Sequence, residues 1–305
     1  MLDEKGHLIS ISEASEASVL SFFQQISKNK SKGFSYAQPV LKNETVSLLF
    51  LEPSTRTRIS FEIAAQKLGA QTVLIQKEGS SLEKGETILD TFQTIHAMGC
   101  RMFVYRSPDS SIQEISKHFG KKIALLNAGD GSNEHPTQAL IDGFTIWENY
   151  KAFDKIKIAI LGDVARSRVA HSDITLFNML GNKPFVSGPP ELLKNFSKDQ
   201  VNLVESMEEA IADADVVMML RIQSERKDVS YQYKESDYLK SYGLTQQRLK
   251  LAKPKAIVMH PGPFHRNVEI ESSVADGPQS VILNQVHNGV WIRMGVFEEV
   301  RRGLS

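Results

Sequence analysis

Short apolar runs alternate along the chain with longer stretches of helical spacing. The runs fall at 46–51, 72–75, 102–105, 123–126, 156–161, 216–220 and 256–259. The helical stretches between them are about ten or more residues long, the pattern of right-handed strand–helix–strand units and parallel sheets. A Gly- and Asn-rich stretch near 129–138 leads into helical spacing, and a fresh strand begins at 155–161, so a break between two sheets is expected near 133–150. A last helix is expected over 284–303, with Val286, Val290, Met294 and Phe297 on one side. The span 223–249 is long and polar, which predicts a functional or mobile loop. The expected fold class is α/β, with two open, mainly parallel-sheet αβα domains. No internal repeat interrupts the pattern.

Polar turns follow several runs, and open α/β sheets bind ligands beyond the carboxyl ends of their strands. The turn after 46–51 carries the densest chemistry: Glu52, Pro53, Ser54, Thr55, Arg56, Thr57 and Arg58. A helix is expected to follow, with Ile59, Ile63 and Leu68 on one side and Ser54 or Thr55 as its cap. Its first turn has unpaired N–H groups and the positive end of the dipole. Arginine is unfavourable there, so two arginines among three hydroxyls point to an anion with several oxygens, most simply a phosphate. The plainer alternative is a capped helix with a solvated basic turn.

Composition narrows the partners. In 305 residues, 36 Lys and Arg balance 36 Asp and Glu, so no net field attracts nucleic acid or an anionic membrane. The single cysteine, Cys100, excludes an internal disulfide and a multi-cysteine metal site, and reads as a small core residue. No metal or cofactor is expected. No apolar run is long enough to span a bilayer, and the N-terminus lacks an apolar signal segment. These features predict a soluble chain of a reducing, cytoplasmic compartment.

The remaining strand ends supply further candidates. His135, Pro136, Thr137 and Gln138 follow a glycine turn; the proline stiffens it, and a neutral imidazole can donate a hydrogen bond to a carbonyl oxygen. Arg106 follows the run 102–105, where a surface charge and a cleft residue are equally natural readings. Ser80 to Thr87 includes Lys84-Gly85-Glu86-Thr87, but the spaced glycines of a nucleotide loop are missing. Further on, Gly162-Asp163 precedes Arg166, Ser167 and Arg168, and one glycine does not make a dinucleotide fingerprint. Arg221 and Gln223 follow another buried run, and His260-Pro261-Gly262-Pro263 forms a rigid turn after the last. Two arginines at strand ends suit two carboxylates.

In order, the segments 54–58, 84–87, 129–138, 221–226 and 260–263 resemble those of the aspartate carbamoyltransferase family, over nearly the whole chain. The resemblance implies a carbamoyl-phosphate-binding domain over 1–138 and an aspartate-binding domain over 139–285. Residues 286–305 would form a helix packing back on the first domain, and the active site would lie between the two. It implies that Ser54, Thr55, Arg56 and Thr57 hold the phosphate. Thr57, Arg106 and His135 would polarise the carbamoyl carbonyl, with Gln138 near its nitrogen. Arg168, Arg221 and Gln223 would hold aspartate, and the backbone at Pro261 and Gly262 would line the reacting centre. Ser80, with Ser81 as an alternative, and Lys84 correspond to residues that reach a neighbouring subunit's site, which implies a homotrimer. Whether regulatory chains or a dihydroorotase join it stays open. The departures are Phe264, His265 and Asn267, the last standing where many relatives have glycine.

The implied reaction is attack by the aspartate amine on carbamoyl phosphate, the committed step of de novo pyrimidine synthesis. Catalysis would come from approximation and oxyanion stabilisation without a covalent intermediate. Ornithine is the nearest competing acceptor, but a cationic acceptor wants an acidic or thiol-bearing turn. His260-Pro261-Gly262-Pro263 and Arg221 favour a dicarboxylate. A scaffold with a degenerate site is the competitor from another class, and retention of the whole residue set argues against it.

Overall fold

The computed structural model describes residues 1–193, 196–223 and 235–304. Among them the strands form two parallel sheets. Helix α1 (Glu16–Lys30) comes first, closed by a reciprocal Ser15–Ser18 capping box. Then follow β1 (Thr45–Phe50), α2 (Thr55–Lys67), β2 (Gln71–Gln76), α3 (Ile88–Ala97), β3 (Met102–Ser107), α4 (Ile112–Phe119), β4 (Ala124–Asp130) and α5 (Pro136–Tyr150). The order β2-β1-β3-β4 puts β1 and β3 inside the sheet. That position explains their near-continuous burial, since a central parallel strand is covered on both faces. β2 is an edge strand and leaves Val73 and Leu74 exposed.

The second half adds β5 (Ile158–Leu161), α6 (Arg168–Met179), β6 (Phe185–Ser187), β7 (Asn202–Leu203), α7 (Met207–Ile211), β8 (Val216–Met219), α8 (Glu235–Tyr242), α9 (Gln246–Leu249), β9 (Ile257–Met259), α10 (Ser272–Ala275) and α11 (Ile282–Gly303). Its sheet runs β7-β6-β5-β8-β9, every described pairing parallel. The chain divides into two compact units, Met1–Ile141 with Val286–Ser305, and Asp142–Gln285, so the division falls inside α5 and again inside α11. Within the first unit α11 closes tightly on α1. A side chain at Gly295 would press on Ile26 and Phe22, so glycine lets the helices approach without displacing those two side chains. Phe61 of α2 meets the edge of Phe297 and carries the Arg293 guanidinium on its face.

The differences from the expected pattern have physical causes. Ile59 and Ile63 are exposed, and α2 instead buries Thr57, Ser60, Phe61, Ala64 and Ala65. On α11, Val286 is exposed while Met294 and Phe297 are buried. β6 and β7 are too short to show a period. The polar span was expected to be a loop, yet 235–242 and 246–249 are helical. There α8 is held by buried Tyr238, which packs with Ile222, Val268 and Tyr242 in place of an apolar stripe. Ser224, Glu225 and Arg226 lie outside the described residues. None of the described helices is long and apolar enough to cross a membrane.

Candidate active site

In the first unit the strand β1 ends and the chain turns into α2. Ser54 is the N-cap with extended backbone, but its side chain makes no capping bond. Its hydroxyl and the N–H groups of the first turn are therefore not consumed by each other. Thr55 and Arg56 are exposed, and Arg56 has no ion-pair partner among the described residues. Arg58 pairs with Glu62 one turn on, at 3.6 Å. Thr57 faces inward and is buried.

The second helix N-terminus arrives from β4. Pro136 occupies the first helical position of α5, where its missing N–H is no loss. The carbonyl of His135 accepts from the N–H groups of Gln138 and Ala139. The buried His135 ring brings Nε2 to 3.5 Å from Thr57 Oγ1, so the two N-termini meet at one point. Each contributes a positive dipole end there. Gln138 is also buried, one turn into α5.

Arg106 lies near the end of β3, paired in register with Phe50 of β1. Its Nε is 3.3 Å from Glu52, and one terminal nitrogen donates to the carbonyl of Ala128 on β4. The guanidinium is thus held between the ends of three strands. Lys84 is exposed and Ser80 half-buried on the turn after β2, where the Ser80 hydroxyl donates to Lys77 O. Among the described residues neither makes a hydrogen bond or ion pair with the corner of Ser54, Thr57, Arg106 and His135.

In the second unit Asp163 organises the strand ends. It is fully buried and takes a bidentate pair from Arg166, Nε donating to Oδ1 at 3.0 Å and Nη2 donating to Oδ2. One of these oxygens also accepts from the backbone N–H of Gln223, while the Gln223 amide donates to Arg166 O. Arg168 opens α6 behind the Ser167 cap, and Arg221 follows β8; both are half-buried. At Gly162 a Cβ would lie 2.9 Å from Leu220 O, so the close approach of these two turns needs glycine.

The last turn is fixed from beneath. Gly262 has φ +67° and its N–H donates to His260 Nδ1, which places the ring proton on Nε2, facing Glu269 at 3.7 Å. Both side chains are buried, and the His260 N–H donates to Gln285. The unusual Asn267 adopts φ +60°, so asparagine keeps the left-handed backbone that glycine would supply. Its Oδ1 accepts from Ser272 N.

Sequence reading found the cations and hydroxyls but gave no role to Glu52, Asp163 or Glu269. Asp163 had a local signal, an acid directly after a strand-ending glycine. Glu269 had none, because its partner His260 is nine positions away across a turn. Among the described residues no group of three or more His, Cys, Asp or Glu is placed to hold a metal ion.

Two parallel-sheet units carry strand-end turns loaded with cations and hydroxyls, an arrangement suited to anionic substrates. Residues 6–148 match the aspartate/ornithine carbamoyltransferase carbamoyl-P binding domain, and residues 154–300 match the Asp/Orn binding domain of the same enzymes. The chain belongs to the aspartate/ornithine carbamoyltransferase family. It is similar to aspartate transcarbamoylase from Trypanosoma cruzi in complex with carbamoyl aspartate and phosphate, at 29% identity and TM-score 0.83, covering 96% of this chain and 94% of that one. It is also similar to ornithine carbamoyltransferase from Pyrococcus furiosus, at 25% identity and TM-score 0.84, covering 98% of each.

Proposed function

We propose that the protein transfers the carbamoyl group of carbamoyl phosphate to the α-amine of L-aspartate, giving N-carbamoyl-L-aspartate and phosphate. This is the committed step of de novo pyrimidine synthesis. The acceptor choice is carried by one observation in the second unit. Its strand ends carry Arg168 and Arg221, and the buried carboxylate there, Asp163, is already engaged by Arg166 and Gln223 N–H. A cationic acceptor would meet two like charges and, among the described residues, an acid already engaged, whereas a dicarboxylate suits the two arginines. The solved structures of the Trypanosoma cruzi enzyme with carbamoyl phosphate and aspartate lend further support.

In this reading Ser54, Thr55, Arg56 and Thr57 hold the phosphate, with Ser80 and Lys84 added from a neighbouring subunit. Thr57, Arg106 and His135 donate to the carbonyl oxygen, and Gln138 takes the carbamoyl nitrogen. Arg168, Arg221, Gln223 and Lys84 hold aspartate, beside the backbone of Pro261 and Gly262. The neutral amine attacks the carbonyl carbon and the C–O bond to phosphate breaks. The departing phosphate accepts the amine proton, so no separate base is required. The trimer this needs is supported by exposed apolar side chains on α2 and β2, and a cytoplasmic setting fits the lone thiol.

The test is carbamoyl transfer from carbamoyl phosphate, run in parallel with aspartate and ornithine. Carbamoyl-aspartate should form, and Arg56→Ala should lower turnover by about 100-fold or more, as loss of a transition-state charge partner does. Turnover of ornithine alone would overturn the acceptor assignment while leaving the donor corner intact.

A further inference from the structure

Leu8 to Ile11 form a strap beside β4. Leu8 N donates to Leu125 O at 3.0 Å, Asn127 N donates to Leu8 O at 2.9 Å, and the buried Asn127 amide donates to Ile9 O at 2.8 Å. Leu8, Ile9 and Ile11 are buried, so the strap is fastened by side chains as well as backbone. Its end then reaches the turn that follows β4. The Ser10 hydroxyl donates to one oxygen of Glu134 at 2.5 Å, and the Ile11 N–H donates to the other at 3.0 Å. The Glu134 carbonyl accepts from Asp130 N at 3.0 Å. Glu134 is therefore gripped twice, by the strap through its carboxylate and by β4 through its main chain.

The next residue is His135. Successive side chains on an extended backbone point to opposite sides, and here Glu134 turns to the strap while His135 turns to Thr57. A carboxylate one residue from an anion-binding corner repels the anion. Its presence there needs a compensating benefit, and the benefit the geometry offers is orientation. We propose that Glu134 is a positioning residue for His135, and that the strap Leu8–Ile11 is a working part of the carbamoyl phosphate half-site. The kinetic consequence rests on the carbamoyl-transfer reading; the structural one does not.

The test uses the full chain in five forms: wild type, Glu134→Ala, Glu134→Gln, Ser10→Ala and, to assign the ring signal, His135→Asn. Nitrogen NMR of labelled histidine follows the His135 ring, recognised by the signal missing in His135→Asn, as inorganic phosphate is added. The phosphate-dependent shift should persist in wild type and Glu134→Gln, which keeps an acceptor, and vanish in Glu134→Ala. Turnover of Glu134→Ala should fall about 10-fold, with KM for aspartate unchanged. A merely structural role would lower the melting temperature while leaving the His135 shift and the turnover per folded molecule as in wild type, and that result overturns the proposal. Should Glu134→Ala fail to fold, Ser10→Ala decides: it removes one of two clamp bonds and should lower turnover about threefold, whereas wild-type turnover and shift reject the strap. A wild type that transfers to neither acceptor yet shows the full NMR pattern refutes the activity and keeps the strap.

Discussion

Asp173, on α6, is fully shut from solvent, and the nearby like charge is Asp142 on α5. Burial first, and Asp142 second, push its carboxyl well above the ordinary value of 3.8. The folded protein thus holds a proton that the unfolded chain releases once the pH passes that ordinary value. Stability from this group is complete below it and is lost as pH rises through the raised folded value. Asp173→Asn keeps the shape and stays neutral throughout. It should melt higher than wild type at neutral pH, with the gap closing as the pH approaches 4, in melting curves taken across that range. Parallel curves with a constant gap would show that ionisation is not the cause. Residues of this kind illustrate what the sequence conceals. The identities of Arg56, Thr57 and His135 announce anion chemistry because they sit at turns of known type. The fates of Asp173, Glu269 and Glu134 depend on partners supplied by distant segments, and no local pattern carries that.

The elements were legible in proportion to their length and burial. β1 and β3 overlap their apolar runs closely, β4 starts in its run and continues four residues past it, and β6 and β7 are too short to register. α2 was legible as a helix but not by its face: small Ala64 and Ala65 pack where bulky Ile59 and Ile63 were expected. The junction of β5, β8 and α6 has an organiser that periodicity cannot reveal, the Asp163 carboxylate. It joins the turn before α6 to the chain after β8 through Arg166 and Gln223. Asp163→Ala removes one partner of a buried ion pair, which costs about 3–5 kcal/mol in comparable sites. Asp163→Asn retains an acceptor and should cost less. Denaturant titration reads this difference. Because Gln223 loses its backbone anchor in Asp163→Ala, KM for aspartate should rise there, and less in Asp163→Asn, while KM for carbamoyl phosphate holds. An equal rise in the two constants would place Asp163 outside the acceptor half.

At the scale of the whole molecule, the first unit leaves apolar side chains where a solitary chain has no use for them. Ile59 and Ile63 on α2 are 39% and 36% exposed, and Val73 and Leu74 on the edge strand β2 are 48% and 39% exposed. An unpaired edge carrying such residues invites a second copy. Just beyond β2, the half-buried Ser80 and the exposed Lys84 make no hydrogen bond or ion pair with the corner of their own chain among the described residues. A closed ring of three chains would serve both observations, because a head-to-tail interface gives each corner a lysine from its neighbour. Two consequences separate this from a self-sufficient monomer. Val73→Lys should reduce the assembly mass from three times 34.1 kDa toward one, by light scattering, and activity should fall with it. Arg56→Ala and Lys84→Ala chains should each be nearly inactive alone. Mixed one to one and reassembled, they should recover about one quarter of wild-type turnover, because a random ring gives a quarter of the sites an intact corner and an intact lysine. A monomer that used its own Lys84 would recover nothing on mixing, and that null result would sink the shared site however large the apolar face.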